Sequence, residues 1–478
     1  MKSLIGNEWR GSSNGQVIEV INPATRELID TVPALTEEDV AEAVDYAARA
    51  QKSWEETPLL ERCEILATFA YLVQDNLDEL ALLLSQETGK PIKEAYNEIN
   101  NIFIGVPAYI EKVKHQYGNV IPKGTERGQE NTIQYTMRQP LGVVAAIIPF
   151  NFPSDIFINK VPPALLMGNS VILKPASVNP LTLTRYVELL VEAGVPAGVI
   201  EVVHGSGSTV GKALTSNEKV NMITLTGSTE AGMDAAKNAS SHCAHVSLEL
   251  GGNDAMIICE DADLDLAVEE VVWGRLYNTG QVCCASKRFI VHNDVKDEFI
   301  YKMRQKLETL RVGMPQEETS DIGCLISEEA ASEVANQVAQ TINEGARLVC
   351  GGRRNGAFFE PCILDNVTPD MAVAKDMEIF GPVIPVIGYD TIEDAINIAN
   401  QSKYGLSAGI VTNDMNKAFK VAEKIEAGGF VINGASFFRS FEQPFGGWKY
   451  SGIGNEGIMT TLEEMSRLKT VILKNVLK

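Results

Sequence analysis

Residues 142–153 read GVVAAIIPFNFP, an apolar run that ends in a polar residue, Asn151, between two phenylalanines. Four similar apolar runs follow it, and a stretch with helical spacing separates each run from the next. The runs span residues 171–174, 199–204, 222–226 and 245–249, with helices predicted at about 156–168, 181–194, 208–215 and 229–238. This alternation of strands and helices predicts a parallel sheet that helices cover on both faces.

The alternation restarts after Gly252 and predicts a second α/β domain that runs to about residue 450. Its first strands are predicted at 255–258 and 288–291, with a helix between them. Before the first sheet, residues 36–116 have mainly helical spacing, whereas 119–141 predicts an exposed hairpin that suits subunit contact. A chain of 478 residues exceeds the ~250–300 residues at which single cores stop growing, so we expect two domains around a shared cleft.

Charge and composition argue against several classes of partner. A formal net charge of −22 disfavours nucleic acids and anionic membranes, because both kinds of binding begin with cationic side chains. No apolar run reaches the ~18 residues of a membrane span, and the N-terminal residues have no secretory pattern. Eight scattered cysteines favour free thiols in a reducing compartment, and no zinc spacing indicates a metal. We expect a cytoplasmic protein that binds small molecules.

Two segments that contain glycine are candidates for dinucleotide binding. In residues 205–211, GSGSTVG, the last glycine comes one position too late for the Gly-x-Gly-x-x-Gly fingerprint. In residues 226–232, Gly227 and Ser228 lie between an apolar strand and a helix, whose N-terminus attracts a pyrophosphate. A plain strand-to-helix turn explains the first segment equally well, and a simple Ser/Thr helix cap explains the second.

Three polar side chains supply the parts that acyl chemistry needs. Residues 280–286 read GQVCCAS and place Cys283 and Cys284 after a glycine turn, although an isolated free cysteine is more often a buried structural residue. Asn151 and Glu249 each end an apolar strand, at the edge of a parallel sheet where ligands bind. A thiol, an amide donor and a base together indicate nucleophilic catalysis.

With these motifs in order, the chain resembles the aldehyde dehydrogenase superfamily over essentially its whole length. The resembling segments are residues 149–153, 173–175, 226–228, 249–252, 280–283, 378–382 and 444–447 with Ser451 and Gly452. The resemblance implies an α/β fold with a Rossmann-like cofactor domain, a second α/β catalytic domain and a small β oligomerisation element, in a homodimer or homotetramer. We assign these three parts to residues 1–118 with 141–249, to 250–450, and to 119–140 with 451–478.

The resemblance also implies a mechanism. Cys283 is similar to the nucleophile that attacks the aldehyde carbon, and Cys284 is a neighbour that the family does not require. The Asn151 amide and the Cys283 backbone N–H would hold the oxyanion, and such donors are each worth ~3 kcal/mol. Glu249 resembles the base that activates water, so the thiohemiacetal and thioester would lead to a free carboxylic acid rather than an acyl-CoA.

The same resemblance implies NADP or NAD as the cofactor. Lys174 would contact the adenosine ribose, Gly227 and Ser228 the pyrophosphate, and Glu378 the nicotinamide ribose. Ser177 stands where NAD-preferring members typically carry a glutamate, and without that charge a 2′-phosphate is not repelled. We therefore predict that NADP is accepted. The other predicted cofactor-binding positions are Ile147, Pro149, Phe150, Gly207, Gly211, Thr226, Leu250 and Phe380.

The predicted substrate is a small aliphatic, hydroxy or anionic aldehyde. Members that take dicarboxylic semialdehydes often carry arginines where this chain has Asn159 and Tyr277, which argues against succinate semialdehyde. Arg439 is a candidate anchor for an anionic or hydroxylated substrate, although a solvated loop arginine is the alternative. Among rival functions, an acyl-transferring relative would not need Glu249, and a cysteine hydrolase would need a partner histidine. A nucleotide-binding scaffold would need none of the catalytic groups, including Cys283.

Overall fold

The computed structural model describes residues 1–474, so residues 475–478 of the predicted oligomerisation element lie outside the described part. The α-helices are α1 (Glu37–Glu56), α2 (Leu59–Asp75), α3 (Leu77–Thr88), α4 (Ile92–Asn100), α5 (Ile102–Val113), α6 (Pro153–Leu166), α7 (Leu181–Glu192), α8 (Lys212–Ser216), α9 (Thr229–Ser240), α10 (Leu264–Leu276), α11 (Asn293–Thr309), α12 (Glu328–Asn343), α13 (Ile392–Asn400), α14 (Met415–Ala422) and α15 (Ile458–Glu464). No helix within residues 1–474 is long and apolar enough to cross a membrane.

The strands confirm every strand predicted after residue 142, as β7 to β13. They are β1 (Ser3–Ile5), β2 (Glu8–Arg10), β3 (Val17–Ile21), β4 (Leu28–Pro33), β5 (Val120–Ile121), β6 (Ile133–Pro140), β7 (Val143–Ile147), β8 (Ser170–Lys174), β9 (Ile200–Val202), β10 (Val220–Thr226), β11 (His245–Glu249), β12 (Asp254–Ile258), β13 (Ser286–His292), β14 (Arg347–Cys350), β15 (Arg354–Asn355), β16 (Phe358–Phe359), β17 (Cys362–Val367), β18 (Val383–Tyr389), β19 (Tyr404–Gly405), β20 (Ser407–Val411), β21 (Gly429–Ile432), β22 (Trp448–Lys449), β23 (Gly452–Ile453) and β24 (Ser466–Leu473).

The first sheet has the strand order β2-β1-β9-β8-β7-β10-β11-β23, and its five central strands are parallel. Alternate residues of these strands enter two different cores. Val144 and Ala146 pack on the side of α2, α5, α6 and α7, whereas Val143 and Ala145 pack on the side of α1, α8 and α9. Because both faces are covered, apolar residues point to both sides of these strands. The order reverses beside β7, where doubly wound sheets bind their ligands.

The second sheet has the order β14-β17-β18-β13-β12-β20-β21 and is parallel except for β14. Two cores cover its faces, one with Ile257 and Ile290 and the other with Met256 and Phe289. The predicted parallel α/β architecture is therefore present twice. The division into domains by residue number stays a prediction.

A small third sheet has the order β24-β6-β5. The predicted hairpin of β5 and β6 forms over two residues of β5 only, and the main partner of β6 is β24, which pairs with all of it. Residues 451–465, which the sequence analysis assigns to this element, lie elsewhere. Strand β23 pairs with β11 in the first sheet, and α15 packs against α5 and α6. Buried Ile458 and Leu462 explain this, because they join the first core.

The strand register brings the predicted site residues to one edge of the first sheet. Ile147, at the end of β7, pairs with Lys174 at the end of β8. Thr226, at the end of β10, pairs with Glu249 at the end of β11. Parallel strands therefore deliver four side chains to the carboxyl edge, and Asn151 follows immediately in the β7–α6 loop.

Candidate active site

A cavity of about 330 Å³ adjoins this edge. Asn151 and Thr226 from the first sheet and Cys283 and Cys284 from the second α/β unit line it together, with Arg439 from a later loop. The sequence motifs thus converge in space although their residues come from both halves of the chain. The remaining lining residues are Asn97, Asn101, Phe152, Asp155, Ile156, Asn159, Trp273, Tyr277, Val282, Phe437, Ser440, Phe441 and Phe445.

Cys283 lies between a tight turn and β13. Asn278, Thr279 and Gly280 have φ angles of 50°, 55° and 78°, an uncommon left-handed run. At Gly280 a Cβ atom would come within 2.4 Å of the Gly381 backbone, so this turn requires glycine. The half-buried Cys283 thiol contacts Cys284, and this contact together with burial raises its pKa, while Lys287 and Arg439 act in the opposite direction.

Hydrogen bonds hold both the side chain and the backbone of Asn151 beside this turn. The side-chain Nδ2 donates to the Gln281 carbonyl at 3.0 Å and has a second N–H that remains free for a ligand. The Asn151 backbone carbonyl accepts hydrogen bonds from Lys90 Nζ and Asn278 Nδ2, both at 2.9 Å. Lys90 also pairs with buried Glu98, which accepts from the Ser154 backbone N–H at 2.8 Å. The amide is thereby fixed before any substrate binds.

Glu249 is buried at the end of β11, and neither carboxylate oxygen has a hydrogen-bond partner within residues 1–474. Burial raises its pKa well above the ordinary value, and Glu456 and Cys283 raise it further. A buried polar group without a partner costs about 1–3 kcal/mol. Such a cost is tolerated where the group has a chemical use, and proton transfer requires a carboxyl group with this kind of raised pKa.

A second buried carboxylate, Glu456, has the opposite surroundings. Lys160 Nζ donates to it at 2.9 Å and Arg439 at 3.0 Å. Lys160 also donates to Thr224 in β10 at 2.8 Å. Although burial alone would raise it, the two cations hold the pKa of Glu456 below the ordinary value. Arg439 therefore has a carboxylate partner and a ring contact with Phe445 at 4.2 Å, and it is not a solvated loop residue.

The residues predicted for the adenosine end of the cofactor surround Lys174. Burial lowers the pKa of its ammonium group to about 8, and the group donates only to the Pro175 carbonyl, at 3.1 Å, within the described residues. A Cβ on Gly211 would lie 3.8 Å from the Lys174 side chain, and one on Gly207 would meet open space. Ser177 donates to the Gly205 carbonyl at 2.8 Å. These groups leave space beside a cation, as an adenosine phosphate requires.

The predicted pyrophosphate segment begins α9. The Ser228 hydroxyl accepts a hydrogen bond from the Ala231 backbone N–H at 3.2 Å, so Ser228 caps the N-terminus of α9. Gly227 donates to the Glu249 carbonyl at 3.0 Å and ties this segment to the base. The Thr226 hydroxyl is buried without a partner in residues 1–474 and lines the cavity. Leu250 packs over Gly232, and a Cβ atom added at position 232 would lie only 2.3 Å from the Leu250 side chain.

The residues predicted for the nicotinamide end come from both α/β units. Glu378 pairs with Lys287 at 3.2 Å and accepts from the Gly252 N–H at 3.3 Å. The rings of Phe150 and Phe380 meet edge to face at 5.9 Å, and Pro149 precedes Phe150 in the β7–α6 loop. Charged and aromatic groups at one end and a buried lysine at the other fit a dinucleotide.

Within residues 1–474, one group of three side chains that could act as metal ligands lies close together. Cys259, Glu260 and Asp261 bring one ligand atom each within 4.8 Å of one another. Lys417 contacts Glu260 at 2.7 Å and Asp261 at 3.5 Å, and Thr412 donates to Asp261 at 2.7 Å. These contacts satisfy the carboxylates without an ion. The expectation of no metal stays a prediction.

The aldehyde dehydrogenase family profile matches residues 9–471. The chain belongs to this family. It is therefore an aldehyde dehydrogenase with the family's fold and with NAD or NADP as cofactor, which confirms the fold, enzyme and cofactor predictions. The roles predicted for single residues remain proposals.

Two curated relatives and one solved structure show how close the similarity is. The 3-sulfolactaldehyde dehydrogenase of Priestia aryabhattai is 39% identical, over 98% of this chain and 97% of that protein. The lactaldehyde dehydrogenase of Methanococcus vannielii is 38% identical, over 96% and 97%. A crystal structure described as an E. coli NADP dependent enzyme has a TM-score of 0.95 and 37% identity, covering 99% of this chain and 98% of that one.

Several site residues could not be found from the sequence. None of the sequence motifs includes Lys90, Glu98, Asn278, Lys160 or Glu456. The contact between Lys160 and Glu456 joins residues 296 positions apart. A signal that could have drawn attention to Lys90 is its place between Gly89 and Pro91, two residue types that interrupt helices.

Proposed function

We propose that the protein oxidises a small hydroxylated or anionic aldehyde to its carboxylic acid with NADP or NAD, through a thioester on Cys283. One observation carries the proposal: the Asn151 amide and the Cys283 thiol line one cavity, and that thiol helps to raise the pKa of Glu249, a buried carboxyl group without a hydrogen-bond partner in residues 1–474. An acceptor of acyl groups, a donor for the oxyanion and a base are then present in one site.

In the first half-reaction, the Cys283 thiol gives its proton to solvent and its sulfur attacks the aldehyde carbon. The resulting oxyanion accepts from the free Nδ2–H of Asn151 and the Cys283 backbone N–H. Each such donor is worth ~3 kcal/mol. Lys90 and Asn278 hold the Asn151 backbone, so no reorganisation is needed. When bound, NAD(P) supplies the hydride acceptor that converts the thiohemiacetal to a thioester.

In the second half-reaction, Glu249 takes a proton from water, and the water oxygen attacks the thioester carbon. The C–S bond of the tetrahedral adduct then breaks, the carboxylic acid leaves, and the Cys283 sulfur takes the proton back from Glu249 to become a thiol. Burial keeps the Glu249 pKa high, so the carboxylate is a stronger base than an exposed one. The neighbouring Glu456 stays charged throughout, because its pKa is held below the ordinary value.

For the cofactor, we propose that NADP is accepted and that Lys174 attracts its 2′-phosphate. The ammonium group has no carboxylate partner within residues 1–474, and Ser177 adds no negative charge nearby. The solved structure described as an NADP dependent enzyme is consistent with this. Glu378 would hold the nicotinamide ribose, with Phe380 beside it.

For the substrate, we propose that Arg439 orients a polar or anionic group. It lines the cavity and donates one nitrogen to Glu456 at 3.0 Å, which leaves other N–H groups of the guanidinium for a ligand. The relatives named for lactaldehyde and 3-sulfolactaldehyde act on short hydroxylated aldehydes, one of them anionic. Arg439→Ala should raise KM for such aldehydes. An unchanged KM for all of them would contradict the proposal that Arg439 orients the substrate.

We further propose a homodimer or homotetramer that forms through the third sheet. Strand β24 is an edge strand with exposed Leu468 and Ile472, and uncovered apolar edges tend to find a partner. The predicted cytoplasmic location rests on the sequence alone. The alternative of a scaffold protein has no observation in its favour.

The test is a spectroscopic assay of reduced cofactor with short hydroxylated, anionic and aliphatic aldehydes, each with NAD and NADP. Cys283→Ala should abolish turnover, whereas Cys284→Ser, the matched control one residue along, should retain it. Loss of turnover in Cys284→Ser with full activity in Cys283→Ala would contradict the assignment of the nucleophile.

A further inference from the structure

The active-site cavity has a polar wall that the mechanism does not use. Asn97, Asn101, Asp155 and Asn159, here called the polar wall, line it from α4, the α4–α5 junction and α6. Hydrogen bonds connect three of its members, because Asn101 Nδ2 donates to Asp155 Oδ1 at 2.8 Å and Asn159 Nδ2 donates to the Asp155 carbonyl at 3.0 Å. These three residues therefore form a preformed surface, and Asn97 is a further member of the same lining.

Aromatic rings form much of the rest of the cavity. Phe152 and Tyr277 stack at 6.1 Å with an interplanar angle of 12°, and Phe437 lies 5.3 Å from Tyr277 and 4.8 Å from Trp273. Flat apolar rings pack against C–H groups, whereas amide and carboxyl groups bind hydroxyls. A cavity with both kinds of surface fits a ligand that has both kinds of group.

Asp155 is a member of the polar wall with unused hydrogen-bonding capacity. Within residues 1–474 it forms no ion pair, and only Oδ1 accepts a side-chain hydrogen bond. Burial and the nearby Glu98 raise its pKa to about 7, so near neutral pH the group exists both as an acceptor and as a donor. The Asn159 side chain, by contrast, uses both of its polar atoms within the protein, because Tyr109 donates to its Oδ1 at 3.0 Å and its Nδ2 donates to the Asp155 carbonyl.

We propose that the polar wall is a specificity site for hydroxyl groups on the substrate carbons beyond the aldehyde, with Asp155 and Asn101 as its main contacts. A substrate hydroxyl donates to Asp155 and accepts from Asn101, while the C–H face of the same molecule packs on the aromatic rings. The preferred substrate class is a polyhydroxylated aldehyde. This inference rests on the proposed function, since it names the substrate of the same site.

The cavity size and the energetics agree with this class. At about 330 Å³ the cavity reaches the lower end of small-molecule pockets, ~300–1,000 Å³, so it holds several groups besides the reacting carbonyl. A site built to bind a hydroxyl discriminates strongly against the analogue without it, because the buried polar groups are then left unpaired. An aliphatic aldehyde of equal length should therefore be a poor substrate.

The experiment compares kcat/KM for matched pairs, glyceraldehyde with propanal and erythrose with butanal, in the wild-type enzyme and in Asp155→Leu, Asp155→Asn and Asn101→Ala. The wild type should prefer each hydroxylated aldehyde by more than about tenfold, the effect of roughly one hydrogen bond to a buried group. Asp155→Leu and Asn101→Ala should reduce this ratio, and Asp155→Asn should restore part of it. Asp78→Asn, a matched change at an aspartate that accepts from Tyr96 on the outer surface, should leave the ratio unchanged.

Failure of this inference is distinguishable from failure of the proposed function. If the wild type oxidises propanal as well as glyceraldehyde, the aldehyde dehydrogenase mechanism stands and the specificity site is wrong. A ratio that Asp155→Leu leaves unchanged in folded protein also overturns it. If Asp155→Leu does not fold, the wild-type ratio together with Asn101→Ala decides. If no aldehyde is oxidised at all, the proposed function itself fails.

Discussion

Glu249 and Glu456 are both buried beside the cavity, but among the described residues only Glu456 forms ion pairs. Lys160 and Arg439 donate to Glu456 at 2.9 and 3.0 Å, whereas neither oxygen of Glu249 has a hydrogen bond within residues 1–474. The pKa shifts follow, lowered for Glu456 and raised for Glu249. Equal burial therefore produces a fixed charge in one place and a proton acceptor in the other.

The contrast recurs among the buried lysines. Lys160 is paired with Glu456, whereas Lys174 donates only to a backbone carbonyl within the described residues, and burial lowers the pKa of Lys174 to about 8. In both comparisons the unpaired group lies where a ligand is expected. A desolvated charge without a partner in the protein is stabilised when a ligand brings the partner.

The largest effect is expected from removing the unpaired base. Glu249→Gln keeps the shape of the side chain but cannot accept a proton, so turnover should fall by roughly 10²–10⁴-fold. The thioester should still form, and one equivalent of reduced cofactor should appear rapidly before turnover stalls. Stopped-flow absorbance measures both phases. Steady turnover at the wild-type rate would show that another group activates the water.

Breaking the buried ion pair of Lys160 with Glu456 should mainly lower the stability of the fold. Lys160→Met leaves Glu456 with one cation in a buried place, and removal of one partner of a buried ion pair costs about 3–5 kcal/mol. Denaturant unfolding measures the loss. The matched control is Lys219→Met, which breaks an exposed pair with Asp45 and should cost no more than about 1 kcal/mol. Equal losses in the two variants would contradict the distinction.

The pH dependence should separate the two carboxyl groups. Burial raises the pKa of Glu249, and contact with Cys284 together with burial raises the pKa of Cys283, so the deprotonation of both groups is shifted to higher pH. The reactive deprotonated fraction, and with it kcat/KM, should therefore increase as the pH rises. Glu456 contributes nothing in this range, because its pKa is lowered and it is already charged. Glu249→Gln should remove the part of the rise in kcat/KM that comes from deprotonation of Glu249. A profile that falls between neutral and alkaline pH in folded enzyme would contradict these shifts.

The smallest effect is expected from giving Lys174 a partner. Ser177→Glu places a carboxylate near the lysine and near the proposed 2′-phosphate, so the ratio of kcat/KM for NADP to that for NAD should fall by at least roughly tenfold, about 1.4 kcal/mol. Ser177→Ala, which adds no charge, should change the ratio much less. An unchanged ratio in Ser177→Glu would show that the phosphate binds elsewhere.

The sequence was sufficient for the parts of the site that follow from local pattern. Apolar runs located the strands, and the polar residue at the end of each run located Asn151 and Glu249, because parallel strands share their carboxyl edge. The pairs that distinguish one buried charge from another could not be predicted. Lys160 and Glu456 are far apart in the chain and lie within apolar or loop segments. Residues 451–465 were misplaced because burial of Ile458 and Leu462 is a tertiary effect.

A thioester on Cys283 can be detected directly by intact-protein mass spectrometry of Glu249→Gln incubated with an accepted aldehyde and cofactor. We expect a mass increase equal to one acyl group, located on Cys283 by peptide analysis and absent from the double variant Glu249→Gln, Cys283→Ala. An unmodified protein despite reduction of the cofactor, or an acyl group on Cys284, would contradict a thioester on Cys283 that Glu249 and water release.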